Sequence, residues 1–216
     1  MNRALIVKEL RECATAAAMA ARGAIYTVWI YTGGAAFPGE PRGAWPLPFV
    51  DDDIYAPLLL VVGGLGVALG FKQTALEDAL GTYRYLLHRP IDRRRVFVVK
   101  AVVGLALVQA IGGAMILSYS LWAATPGTHP SPFFWSMTET AWRIWMVMPT
   151  VYLGAAISGL RPARWYASRL LPLVGGCTIA SILVAQPWVG ITAAGAVLGL
   201  GCLLAGLLHI AETREY

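Results

Sequence analysis

Glu139 and Arg143 stand four residues apart in an otherwise apolar run. Arg22 stands alone in another, and Glu77-Asp78 opens a patterned segment that closes on Arg93-Arg94-Arg95 and Lys100. These are the positions whose residue types and spacing could do chemistry. A carboxylate and a guanidinium at i and i+4 share a helical face and pair with each other. Charge inside a hydrocarbon-embedded helix costs about 2.5–3.5 kcal/mol even on the lenient scale, so Glu139 and Arg143 also qualify as the lining of a path or a subunit seam. Arg22 has no local partner and either snorkels to an interface or faces a cavity. In the segment 72–100, Thr74 precedes Glu77 at capping-box spacing, and Leu76, Leu80, Tyr83 and Leu87 recur at helical spacing. It reads as a short amphipathic helix, interrupted by Gly81 and stopped by Pro90. The segment is longer than the usual helix–helix connection. A helix there has one physical use, to be gripped by a partner.

Other chemistry is excluded by what the chain lacks. It has no GxxxxGK[ST] phosphate loop, no HExxH and no GxSxG. His88, His129 and His209 fall in three separate regions. Cys13, Cys177 and Cys202 sit in apolar stretches without CxxC or Cys/His metal spacing, and read as small buried hydrophobes. The reading is therefore of a non-enzyme with no catalytic, cofactor-binding or metal-binding residues, and no cofactor is expected in this chain.

The elements that hold these residues follow from composition. Of the residues, 57% are hydrophobic and 13% charged, against roughly 45–50% and about 25% in soluble domains. Charge is too scarce to cover a globular surface, and lipid is the solvent that fits. Charge-free stretches predict an all-α polytopic fold in a single domain over 1–216, with six spans at about 14–36, 54–71, 100–123, 140–160, 169–186 and 188–210. The last two come from one clean run over 170–210, which at 1.5 Å per residue is about twice the ~30 Å hydrocarbon core and must fold back at Gln186-Pro187-Trp188. Counting loops, 14 of the 17 basic residues fall on the side of the two termini. This places both termini in the cytoplasm. The same bias explains the basic balance without nucleic acid. The first twelve residues alternate charged and apolar positions, unlike a cleavable signal peptide, and suit a helix lying in the interface. Gly66/Gly70 and Gly195/Gly199 are spaced for close helix packing.

With these residues in view, the chain resembles the ABC-2 type transporter permeases. The similarity lies in Glu77-Asp78-Ala79-Leu80-Gly81-Thr82, then Tyr85-Leu86-Leu87, Arg89-Pro90-Ile91, the basic triplet and Lys100. Leu5-Ile6-Val7-Lys8-Glu9-Leu10-Arg11 is similar to the family's interfacial elbow helix. The resemblance implies a permease subunit of the plasma (inner) membrane that forms a substrate path and leaves ATP hydrolysis to a separate ATP-binding cassette subunit. It also implies a second permease chain, identical or homologous. By the same resemblance Glu77, Asp78, Gly81 and Thr82 sit at the contact with the ATPase subunit, and Lys8 and Glu9 belong to the elbow beside it. One departure is that the Gln186-Pro187-Trp188 turn leaves no room for the short re-entrant helices family members often carry between the last two spans. The alternative is a non-transporting anchor or assembly protein that recruits a cytoplasmic partner through 72–100.

Overall fold

The computed structural model describes residues 3–33, 47–50, 53–81, 92–128, 132–164 and 168–213. Within them the chain is helical and has no strand. Six helices follow in order: α1 (Arg3–Tyr31), α2 (Tyr55–Ala79), α3 (Arg93–Ala124), α4 (Glu139–Leu160), α5 (Leu171–Val184) and α6 (Val189–Thr213). Five of these, α4 being counted with its lead-in turn from Trp135, are long and apolar enough to cross a membrane. The sixth, Ser168–Val184 with its lead-in turn, is apolar but shorter.

The helices alternate in direction. α1 runs antiparallel to α2, since Gly23 faces Val61 while Cys13 meets Gln73. α2 and α4 run parallel, Gly66 facing Tyr152 and Gly70 facing Ala155. α5 returns along α4, and the α5–α6 turn at Gln186 meets Arg143. One end of the bundle thus gathers the start of α1, the end of α2 and the start of α3. The other gathers the start of α4 and the α5–α6 turn.

α4 is the centre. It is buried almost continuously from Val147 to Leu160 and packs against α2, α3, α5 and α6, while α1 lies on α3 and α2. Small residues make this possible, as expected where packing rather than water exclusion holds helices together. A Cβ at Gly70 would lie 2.6 Å from Ala155 Cβ, and one at Gly176 would lie 2.5 Å from the Thr150 carbonyl oxygen. Outward faces carry Met19, Ile25, Leu60, Val197 and Leu198, all exposed.

Three sequence expectations change. No break separates an interfacial segment from the first span: α1 is one helix of 29 residues, because residues 12–22 include six alanines and no glycine or proline. Thr74 does not cap a new helix. Its hydroxyl donates to the Gly70 carbonyl at 2.6 Å, and α2 runs through it to Ala79. Gly81 then ends the helix with φ 69°, the left-handed conformation that suits glycine just past a C-terminus. The rest of the expected amphipathic helix, including Thr82, Tyr83, Leu87 and Pro90, lies outside the described residues. Finally, α3 starts at Arg93, where Asp92 Oδ1 accepts the Arg94 amide at 3.1 Å. Lys100 is therefore inside a helix rather than in a loop.

α2 is irregular at two places. π-type turns occupy Leu59–Gly63 and Lys72–Leu76. Such turns occur mostly as single bulges inside α-helices and are frequent at functional sites, and each of these borders a pocket.

Candidate functional site

Lys100 is 3% exposed and Glu9 is fully buried. An ammonium and a carboxylate survive burial only if paired, and these are. Lys100 Nζ donates to Glu9 Oε1 at 2.9 Å and to Glu77 Oε1. α1, α2 and α3 each contribute one member, so one ammonium ties three helices together. Lys8 adds a second cation from the half-exposed side, 3.4 Å from Glu9 Oε1 and 3.1 Å from Glu12 Oε1. Glu9 Oε2 is buried without a hydrogen-bond partner.

A neutral layer braces the charges. The Tyr152 hydroxyl donates to Gln73 Oε1 at 2.7 Å and lies 3.1 Å from the Lys100 carbonyl oxygen. Gln73 Nε2 donates to that same carbonyl at 3.2 Å and sits 3.5 Å from Cys13 Sγ. Gly104, one turn along α3, has no side chain to collide with the Tyr152 ring. The junction is thus wired into α4 as well. Beside it a pocket of about 160 Å³ is lined by Glu12, Cys13, Lys72, Gln73, Leu76, Glu77 and Leu80. The second π-type turn supplies three of these residues.

Oxygens of Glu9, Glu12 and Glu77 lie within 4.8 Å of one another, close enough to share a cation. Lys100 and Lys8 already place two ammonium groups among them, so this donor set fits internal ion pairing rather than a metal. The one thiol at the junction, Cys13, is fully buried, the setting in which a cysteine is inert. What the junction can do is mechanical: a displacement of Glu77 pulls on the ammonium that also holds α1 and α3.

The remaining sequence candidates lie elsewhere. Arg143 pairs with Glu139, as the i,i+4 spacing predicts, and also reaches across the bundle. Its Nη1 donates to the Gln186 carbonyl at 2.5 Å, and its Nη2 to the Pro187 carbonyl at 2.6 Å. These carbonyls belong to the α5–α6 turn and have no partner within a helix. Arg143 is therefore a clamp on that turn. Arg22 is exposed on α1 and, among the described residues, joins neither cluster. Asp78 is half-exposed, its carbonyl accepting the Gly81 amide at 3.1 Å. No family model, characterised protein or solved structure matches the chain.

Sequence reading grouped Lys100 with the loop basics and did not single out Gln73, Glu12 or Tyr152. A signal was present for Lys100. Four apolar residues, Val96-Phe97-Val98-Val99, separate it from the arginine triplet and place it one turn inside a span.

Proposed function

We propose that this chain is the membrane-spanning permease subunit of an ABC transporter, coupled to a separate ATP-hydrolysing subunit at the end of the bundle where α2 stops. The six helices cross the bilayer with both termini in the cytoplasm, and a second permease chain completes the substrate path. The observation that carries this reading is the shared ammonium of Lys100. The resemblance puts the ATPase contact at the end of α2. Glu77 stands there, held through Lys100 to the helices that would have to move. A partner pushing on Asp78, Gly81 and Thr82 acts on a lever whose other arms are α1 and α3. Glu9 and Glu77, being buried, transmit position from behind the contact, while Lys8 and Asp78 are on its accessible side. Such a rigid-body switch needs a ligand that favours one state, and ATP on the partner supplies it.

The test is co-purification from the native membrane with tagged protein. An ATP-binding subunit in fixed ratio, lost when Asp78→Arg and Leu80→Arg are combined, is the expected result. Retrieval of a partner without ATPase activity favours the anchor reading, which the densely packed surroundings of α4 also suit. Unchanged recovery of the ATPase with the double variant removes the proposed contact.

A further inference from the structure

Arg22 is the one charged residue between Cys13 and Tyr31 on α1. Exposed Arg11 and Glu12 stand just before that stretch, and Gly33, with φ 98°, stands just beyond it. At 1.5 Å per residue the stretch is about 28 Å long, a match for the ~30 Å hydrocarbon core. Arg22 is its midpoint, about 13 Å from either end. Snorkelling serves arginines near helix ends, and this one is as far from both ends as the span allows.

Arg22 is also exposed, and no group among the described residues pairs with it. Its neighbours on that face, Met19, Ile25 and Trp29, are apolar and at least half exposed. A guanidinium stays charged at every pH a protein meets, so neutralisation is closed to it. Charges at this depth are met by an opposite charge, by backbone carbonyls or by water in a cavity. The hollow beside Arg22 suits none of the last two. It is a groove of about 290 Å³ between α1 and α3, apolar except for Ser118, whose hydroxyl donates to the Met115 carbonyl at 3.0 Å. What is lacking is an anion, and it has to come from outside the chain.

Three sources of that anion differ in depth. A phospholipid carries its phosphate at the headgroup, half a bilayer away. A second copy in the same orientation brings another Arg22 to the level of the first. None of the twelve acidic residues in the sequence reaches that level: Glu12, the nearest along α1, is about 15 Å short of it, and the others stand at helix ends or between helices. A carboxylate on the helix of another polypeptide can stand at any depth. The groove suits a helix, since Ala21 and Ala24 on α1 and Ala114 and Ser118 on α3 are small enough for a further backbone to approach closely.

We propose that α1 and α3 dock a transmembrane helix of a different polypeptide along this groove, with an Asp or Glu at the bilayer midplane that accepts two hydrogen bonds from the Arg22 guanidinium. The inference rests on the spanning part of the proposed function and is independent of the ATPase contact.

The experiment places a photoreactive benzophenone side chain at Ile25, 70% exposed on the rim of the groove, or at Val197, 69% exposed on α6, as the reference. Full-length protein is reconstituted in phosphatidylcholine vesicles with a synthetic helix of about twenty leucines between lysine pairs, its central residue either Glu or Leu. The Glu helix is expected to give about tenfold more adduct than the Leu helix at position 25, and no such excess at position 197. Arg22→Leu should abolish the preference, and Arg22→Glu should transfer it to a helix with a central Arg. In native membranes the probe at position 25 is expected to capture a different membrane protein whose crosslinked span carries a central Asp or Glu. Equal adduct from both helices, the same preference at position 197, or a preference that survives Arg22→Leu would overturn the proposal. So would a native adduct with a second copy, with lipid alone, or with a span that has no central acid. Release of the protein from membranes by alkaline carbonate would overturn the spanning reading along with it.

Discussion

Replacing Lys100 by methionine is the sharpest test of the charge junction. Methionine keeps the apolar stem and removes the ammonium. At 2.9 Å from Glu9 Oε1, the charge–charge attraction is about 6 kcal/mol for an effective dielectric near 20. Desolvation of Lys100 opposes this, so the whole attraction is not lost. The cost lies in what remains. Glu9, fully buried, and Glu77, 8% exposed, would confront each other without their shared cation. Breaking a buried pair in this way costs about 3–5 kcal/mol. In a chain of this length that corresponds to roughly 10 °C in melting temperature, at about 2–4 °C per kcal/mol. The assay is thermal unfolding of detergent-solubilised protein followed by size-exclusion chromatography. Neutralising the carboxylates as well, in Glu9→Gln with Glu77→Gln and Lys100→Met, should recover most of the loss, because a buried ionic cluster and its neutral replacement often have similar stability. A Lys100→Met protein melting within about 2 °C of the parent, or a triple variant no better than the single one, would refute the account. The same reasoning makes Glu77→Lys a poor probe of coupling, since it sets two ammonium groups against one carboxylate. Glu77→Gln is the milder choice.

Other expectations use the same melting assay. Arg143→Met removes two charge-assisted hydrogen bonds to the α5–α6 turn and should cost about 2–3 kcal/mol, whereas Glu139→Gln, exposed at 45%, should cost under about 1 kcal/mol. Gly70→Ala brings a Cβ to 2.6 Å from Ala155 and 2.8 Å from the Tyr152 carbonyl oxygen and should destabilise by about 1–3 kcal/mol. Gly64→Ala, with nothing within 4 Å, should be neutral or stabilise by up to about 1 kcal/mol. Asp92→Ala removes the cap of α3 and should cost about 1 kcal/mol.

Helical class, the turn at Gln186-Pro187-Trp188 and the Glu139–Arg143 pair were all legible in the sequence, because each depends on local spacing. Both GxxxG pairs also find close neighbours within the bundle: Gly66 against Tyr152, and Gly199 against Thr150 and Ile179. The course of α2 was not legible. Thr74 with Glu77 satisfies the capping-box pattern, yet capping requires a non-helical backbone at the threonine, and here a preceding helix arrives intact and takes the hydroxyl for itself. The charge junction was only half legible. Glu9 and Glu77 were singled out through a resemblance, as contact residues. That they meet at one lysine depends on bringing positions 9, 77 and 100 together, which no periodicity encodes. The second role of Arg143 was hidden for the same reason, since its carbonyl partners lie 43 and 44 residues away.

The central position of α4 has a consequence for how the protein is made. Its best 18-residue window, counted from the turn at Trp135, has a mean hydropathy of 1.2, against 2.0 for α3 and 2.2 for α6, yet 83% of that window is enclosed by neighbours. The most enclosed helix is thus among the least able to enter lipid unaided, and it brings Arg143 with it. α1, α2 and α3 leave the ribosome first and carry every member of the Glu9–Lys100–Glu77 cluster, so that corner can close before α4 is synthesised. α5 and α6 come afterwards and cover its opposite side. Truncation after α4 is expected to leave a nascent chain whose last helix still depends on the insertion machinery. Truncation after α3 should release a self-sufficient three-helix unit, and crosslinking of staged nascent chains to the translocation channel would distinguish the two.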